Sequence, residues 1–278
     1  METVHVVAAL SSAVLHAGWN AAVKASARPT EAMAAQMLIG AVLVMPGLPW
    51  TGLPAPASWP WIAASTLMNV VTVTSLLRAY ALGGFGVVYP VVRAISVLLV
   101  VPLAALLVGD RLGLGAIAGV GLIALALGVL AYGAASGREF GVRSLGWTLV
   151  TGLATAAYIA CDARGVRLAG SPWAYGFAVT ITNAVAMGWR QRRLATPWRL
   201  IGGNAGVAVP AAVAAVVSYL VILWVWIQAP IAAASALRDT SAVFAIGIAV
   251  LWLKEPFTPS RLLAVLSAAA AVPLLRLG

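Results

Sequence analysis

Apolar residues along this chain are gathered into long blocks, and polar residues are confined to short breaks and to a few isolated positions inside the blocks. Ten blocks are read, at 4–23, 31–50, 60–81, 86–108, 114–133, 145–165, 172–190, 204–226, 230–253 and 260–277. A helix of about 20 apolar residues crosses the ~30 Å hydrocarbon core of a bilayer. In lipid the backbone must satisfy its own hydrogen bonds, so each block is predicted to be a helix. A membrane β-barrel would show alternating segments of about ten residues, and none occurs. The breaks carry Pro54, Pro56, Gly83, Gly84, Gly202, Gly203 and Pro256, residue types that end or turn helices.

The isolated polar residues fall on common faces, because positions three and four apart on a helix are neighbours. The first block presents Ser12, His16, Trp19 and Asn20; the third, Asn69, Thr72 and Tyr80; the fourth, Tyr89, Arg93 and Ser96. The sixth presents Thr155, Tyr158 and Asp162, and the ninth Arg238 and Ser241. Lipid rejects such faces, so they are expected to turn inward together. Plainer roles compete at each position. Serine and threonine in membrane helices commonly bond their own backbone or a neighbouring helix. Tyr80, Trp224 and Trp252 suit a membrane interface. His16 suits either a neutral hydrogen bonder or a proton carrier. Arg93 and Arg238 suit either a tie to helix-end carbonyls or a ligand role. Asp239 lies about 100° round the helix from Arg238, so the two need not neutralise each other. Asp162 sits near the end of its block beside Arg164, where a solvated position competes with a buried one. Gly115 with Gly119, and Gly202 with Gly206, have the spacing of close helix contacts.

The two arginines belong to a repeat. Arg93 with Arg238, Ser96 with Ser241, and Asp110 with Glu255 share one offset of 145 residues. At the first and sixth blocks, His16 with Tyr158, Trp19 with Cys161 and Asn20 with Asp162 share an offset of 142. A duplicated unit of five spans enters the membrane in opposite senses in its two copies, which is the inverted repeat of secondary transporters. The fold expected is therefore an all-α integral membrane protein of ten transmembrane helices. They form two inverted five-helix repeats, residues 1–140 and 141–278, around a central cavity. The fifth and tenth helices, nearly free of polar residues, are expected to lie furthest from that cavity.

Composition agrees with the membrane assignment: 63% hydrophobic, 9% charged and a mean hydropathy of +1.01. Globular soluble domains carry roughly 25% charged residues. The net charge of +10 does not point to nucleic acid, because basic residues flank membrane spans and meet lipid headgroups. Breaks after the odd-numbered blocks carry ten basic residues (Lys24, Arg28, Arg138, Arg143, Arg190, Arg192, Arg193, Arg199, Lys254 and Arg261). The opposite side carries four: Arg111, Arg164, Arg167 and Arg276. The positive-inside rule then places the odd-numbered breaks in the cytoplasm and both termini outside. Arginine outnumbers lysine beside abundant alanine, glycine and valine, a bias of GC-rich and hence bacterial genomes. Met1-Glu2-Thr3 lacks a basic leader, so no cleavable signal peptide is predicted. A single cysteine, Cys161, excludes an intramolecular disulfide and a thiolate metal cluster.

Gly18-Trp19-Asn20 closing the first block with Lys24 after it, Gly109-Asp110-Arg111-Leu112, and Lys254-Glu255-Pro256-Phe257 together resemble the drug/metabolite transporter superfamily. The resemblance is to its ten-helix EamA-type carriers and covers the whole chain. The paired Arg-x-x-Ser and the aromatic interior most resemble the bacterial amino-acid exporters, including those of aromatic amino acids. The resemblance implies cytoplasmic termini, against the charge count, and an inner-membrane location.

Three classes of function follow. The first is a secondary carrier exporting small amphiphilic metabolites, foremost amino acids, by alternating access. An arginine suits the substrate carboxylate by bidentate bonding, and aromatic faces or Asp162 suit the ammonium. The site residues expected are His16, Trp19, Asn20, Tyr80, Tyr89, Arg93, Tyr158, Asp162, Tyr219, Trp224, Arg238 and Ser241. The second is a carrier of drugs, organic cations, sugars or nucleosides on the same fold. A cation exporter would want a carboxylate on the first helix, where His16 and Asn20 stand. The third, an integral membrane enzyme, lacks a Ser–His pair or His-Glu-x-x-His helix, and the lipid-headgroup transferase acids expected beyond Asp162 and Arg164 are missing. No phosphate-binding Gly-x-x-x-x-Gly-Lys-Ser/Thr loop occurs, so no ATPase chemistry, cofactor or metal is called for. The expected partners are the small-molecule substrate and membrane lipid.

Overall fold

The computed structural model describes residues 1–83, 85–109, 111–135, 141–192, 196–251 and 259–277. Asp110, Arg138, Arg193, Trp252, Lys254 and Glu255 lie outside the described residues, and with them the acidic member of each closure. The described residues fold into helices without a strand. These are α1 (Thr3–Ala25), α2 (Pro29–Val44), α3 (Trp59–Gly83), α4 (Phe85–Val108) and α5 (Leu114–Ala135). After them come α6 (Val142–Leu168), α7 (Pro172–Gln191), α8 (Pro197–Gln228), a split α9a (Ile231–Asp239) and α9b (Ser241–Leu251), and α10 (Pro259–Leu277). Each apolar block thus carries a helix. Among the described residues, six segments are long and apolar enough to cross a membrane: Thr3–Ala25, Pro29–Thr51, Pro56–Leu82, Val91–Val108, Val142–Leu168 and Pro197–Gln228.

Local signals set the ends. Prolines open α2, α7 and α8 at their first positions, where a missing N–H costs nothing. The Ser171 hydroxyl caps α7 by accepting from the Ala174 N–H at 3.3 Å. Gly170 takes φ of 77° after α6, a conformation that stops the helix and suits glycine. Arg167 reaches across to donate to the Trp226 and Ala229 carbonyls at 3.1 and 3.3 Å, closing the end of α8.

The ninth block departs from one continuous helix. It breaks at Thr240, whose hydroxyl donates to the Leu237 carbonyl at 2.6 Å and so satisfies an acceptor at the break. Such interruptions persist at membrane depth where they are buried in protein; Ser235 through Ser241 are all buried.

Large apolar side chains face outward. Leu67, Val42, Leu98 and Leu106 are all exposed, a surface suited to lipid and unsuited to water. Inside, small residues let helices approach. A Cβ at Gly152 would stand 2.6 Å from Ile95, and one at Gly119 would stand 2.7 Å from Leu275. These are the α4–α6 and α5–α10 contacts. Hydroxyls lock two further pairs. Ser12 and Ser218 each donate to the other's backbone carbonyl at 2.8 Å, joining α1 to α8. The Thr151 hydroxyl donates to Ser75 at 2.8 Å, joining α6 to α3. Ser12 therefore serves helix packing.

Candidate functional site

A cavity of about 180 Å3 lies among α1, α2, α3, α4, α6, α7, α8 and α9a. No described residue of α5 or α10 lines it. These two helices pack on one another at its periphery. Nine residues of the expected site line the cavity: His16, Trp19, Asn20, Tyr89, Arg93, Tyr158, Asp162, Tyr219 and Arg238. Five helices that are far apart in sequence deliver them to one place.

The charges sort into two groups. In the first, Arg93 donates through Nη1 to Asp239 Oδ1 at 2.8 Å, with both side chains buried. Arg93 also meets His16 Nε2 through Nη2. Its guanidinium lies 5.1 Å from the centre of the Tyr89 ring, and the Tyr89 hydroxyl is 3.0 Å from the Ser241 hydroxyl. Arg238 approaches the other face of the same imidazole, Nη2 to Nδ1, at 3.4 Å. His16 is held further by the Trp19 ring edge-on at 5.1 Å, while Asn20 donates back to the His16 carbonyl at 2.8 Å.

One imidazole cannot satisfy both arginines. A neutral ring has one acceptor nitrogen and one N–H, and a protonated ring has two donors. If Nε2 accepts from Arg93, Nδ1 carries the hydrogen and faces Arg238 donor to donor. Arg238 has no carboxylate within ion-pair distance among the described residues, and its Nε has no partner. It is 5% exposed. Asp239, its chain neighbour, is committed to Arg93. One buried guanidinium is thus compensated, and the other opens on the cavity with unused donors.

The second group is built on Asp162, which is 1% exposed and lines the cavity. The solvated position open to it in the sequence is excluded. Tyr175 donates to Oδ1 at 3.0 Å and Tyr219 to Oδ2 at 2.8 Å. Glycine makes the first bond possible: a Cβ at Gly165 would stand 2.5 Å from the Tyr175 ring. The bare backbone one turn along α6 lets that ring lie flat enough for its hydroxyl to reach the carboxylate.

Three expected site residues lie outside the cavity lining. Ser241 stands behind Tyr89 as its hydrogen-bond partner. Trp224 packs on His5 with ring centres 5.3 Å apart. Tyr80 is half-buried against two core clusters. Conversely, α2 contributes Met33, Gln36, Met37 and Gly40, and α7 contributes Thr180 and Asn183, none of which was expected. Gln36 and Asn183 are lone amides inside apolar blocks, the same signal that singled out Asn69. Asn69 and Asn183 each have a side-chain oxygen buried without a partner, as do the Thr72 and Thr155 hydroxyls.

No family model matches this chain, and no curated protein matches it. Solved structures do match. One, described only as "Crystal structure of protein", aligns with a TM-score of 0.71 at 16% identity, over 98% of this chain and 95% of its own. At that identity the likeness speaks for the fold alone.

Proposed function

We propose that the chain is a secondary membrane carrier that exports small zwitterionic metabolites, foremost amino acids, by alternating access across a bacterial inner membrane. The observation that carries this reading is Arg238: a buried guanidinium that faces a cavity, lacks an anionic partner among the described residues and keeps a donor unused. A carboxylate fills that vacancy with bidentate, charge-assisted bonds. The unpartnered amide oxygens of Asn69 and Asn183 suit an ammonium. Met33, Met37 and Trp19 offer a wall that adapts to different side chains.

Packing supports the reading as ten spans in two inverted five-helix repeats, residues 1–140 and 141–278, of the drug/metabolite transporter kind. Exchanging the first five helices for the last five turns the α1–α8 contact into α6–α3, and both are locked by hydroxyl pairs. It turns α4–α6 into α9–α1, also a contact, and leaves α5–α10 unchanged. A site where repeats meet is the usual place for substrate.

The runner-up is an organic-cation carrier on the same fold, favoured by Asp162. Counterflow in proteoliposomes against amino acids, organic cations and sugars separates the two. Exchange of amino acids, with their amides and decarboxylated analogues competing poorly, is the expected result. Exchange confined to cations, or lipid turnover without any exchange, overturns the proposal.

A further inference from the structure

Resting on the reading of α3 and α7 as membrane spans, and on nothing about the cavity's cargo, we infer that the groove between these two helices binds one anionic phospholipid. Its phosphate meets Arg190 and Arg192, and an acyl chain lies along the groove. The groove holds about 800 Å3 and opens outward between rims that carry the exposed Leu67 and Trp189. It is separate from the central cavity. The same two helices turn Asn69 and Asn183 to the cavity, but no residue lines both spaces.

Shortly before the two helices start, the Ala55 N–H donates to the Ala169 carbonyl at 3.0 Å. α3 and α7 therefore begin at one end of the bundle and run parallel. Midway along them the Thr66 and Thr182 hydroxyls meet at 2.7 Å, and Thr182 also donates to the Val179 carbonyl at 3.1 Å. Trp59 stands seven residues before Thr66, and Arg192 ten after Thr182. At a rise of 1.5 Å per residue the groove runs about 25 Å, most of the ~30 Å hydrocarbon core. Trp59 and Trp189 mark its two ends, the position tryptophans take at membrane interfaces.

The floor suits hydrocarbon. Ile62 is buried there, Val70 and Ala186 flank the threonine pair, and the two hydroxyls satisfy each other, so a chain lying over them strands no polar group. The basic end lacks a counter-charge of its own. No Asp or Glu occurs between Glu31 and Asp110 or between Asp162 and Asp239, the stretches that contain α3 and α7. Neither arginine has a carboxylate within ion-pair distance among the described residues. Arg192 is held in place: Nη1 donates to the Trp189 carbonyl at 2.7 Å, and the guanidinium lies 3.8 Å from the centre of the Trp189 ring. Its other N–H groups are left for a phosphate. Basic pockets between membrane helices recognise anionic headgroups in this way. A second copy of this chain fits less well, because a chain of net charge +10 offers few carboxylates to meet the arginines.

The test uses the full chain purified in detergent and titrated with dioleoylphosphatidylglycerol or dioleoylphosphatidylcholine, which differ only in headgroup. Native mass spectrometry and Tm are the readouts. The expected result is one phosphatidylglycerol per chain, held in preference to phosphatidylcholine and raising Tm. Arg190→Ala with Arg192→Ala, both at exposed positions, is expected to lose about thirtyfold of that preference, the worth of two basic contacts. Arg190→Lys with Arg192→Lys is expected to keep most of it. Dihexanoylphosphatidylglycerol, with the same headgroup and chains too short to follow the groove, is expected to bind far more weakly, and inorganic phosphate to leave Tm unchanged. Equal retention of the two dioleoyl lipids, or a preference untouched by the alanine pair, overturns the proposal. Short-chain lipid or phosphate as effective as the long-chain lipid reveals an anion site without a groove, and a lipid-free dimer reveals an interface between copies; either result also overturns it. Counterflow plays no part in these measurements, so their failure leaves the carrier reading standing, and failure of counterflow leaves the lipid site standing.

Discussion

Arg93 and Arg238 occupy equivalent places in the two halves of the chain, at the same distance from a serine, yet they do different work. Arg93 sits within the continuous helix α4 and is neutralised by Asp239, which belongs to the other half. Arg238 sits in α9a, two residues before a break, and among the described residues it has the shared His16 edge and the cavity before it. The difference arises from one residue. At the same offset of 145, Asp239 stands in the second half of the chain where Ala94 stands in the first. That extra carboxylate crosses over to the first arginine rather than to its neighbour, because adjacent residues on a helix point about 100° apart. The chain thus buries two arginines at like places in its sequence; one is paired with Asp239, and the other opens on the cavity.

The comparison is broken most severely at the paired arginine. Arg93→Ala strands the buried Asp239 carboxylate, and removing one partner of a buried pair costs about 3–5 kcal/mol. The expected outcome is a large fall in Tm of the purified protein, measured by thermal unfolding in detergent. Arg93→Met combined with Asp239→Leu is expected to recover most of that loss. A single variant as stable as the parent contradicts a structural role for the pair.

Arg238→Ala is expected to spare stability and weaken substrate binding. Losing a charge-assisted contact to a ligand costs about 1.5–3 kcal/mol, roughly ten- to a hundredfold in affinity. Counterflow is the measurement, with the exposed Arg143→Ala as a control expected to match the parent. Parental counterflow in folded Arg238→Ala removes the ligand role.

Substrate analogues sharpen the same point. In the parent, an amino-acid amide is expected to compete about tenfold less well than the acid, and in Arg238→Ala this discrimination is expected to vanish. Discrimination that survives the substitution assigns carboxylate recognition elsewhere.

The smallest effect is expected behind Arg93. Ser241→Ala removes the 3.0 Å contact to the Tyr89 hydroxyl, worth about 0.5–1.5 kcal/mol. A modest drop in Tm with counterflow changed less than tenfold is expected. A loss as deep as that of Arg238→Ala would move Ser241 into the binding machinery.

Much of the helical layout was legible without coordinates, because apolar block length and the demand for internal backbone bonding leave few alternatives in lipid. The faces of α1, α3 and α6 were legible for a related reason: a polar residue with no lipid-side solution must turn inward. Gln36 carried the same signal without a polar neighbour in phase inside its block, and Asn183 had Thr180 one turn before it. The break at Thr240 was hidden, since Ser241 keeps helical spacing from Arg238 whether or not the helix continues between them.

What the linear order of residues determined is which side chains had to be buried and which helices had to exist, since both follow from transfer of local groups out of water. What the tertiary structure alone decided is who meets whom. Asp239 lies one residue from Arg238 and 146 from Arg93, yet it bonds the distant one. Asp162 was open to a solvated or a buried position until Tyr175 and Tyr219 closed over it, helped by a glycine that only proximity explains. Pairing energies fall off within a few ångströms, so partner choice depends on the angle and spacing of packed helices, and no property of one segment contains that geometry.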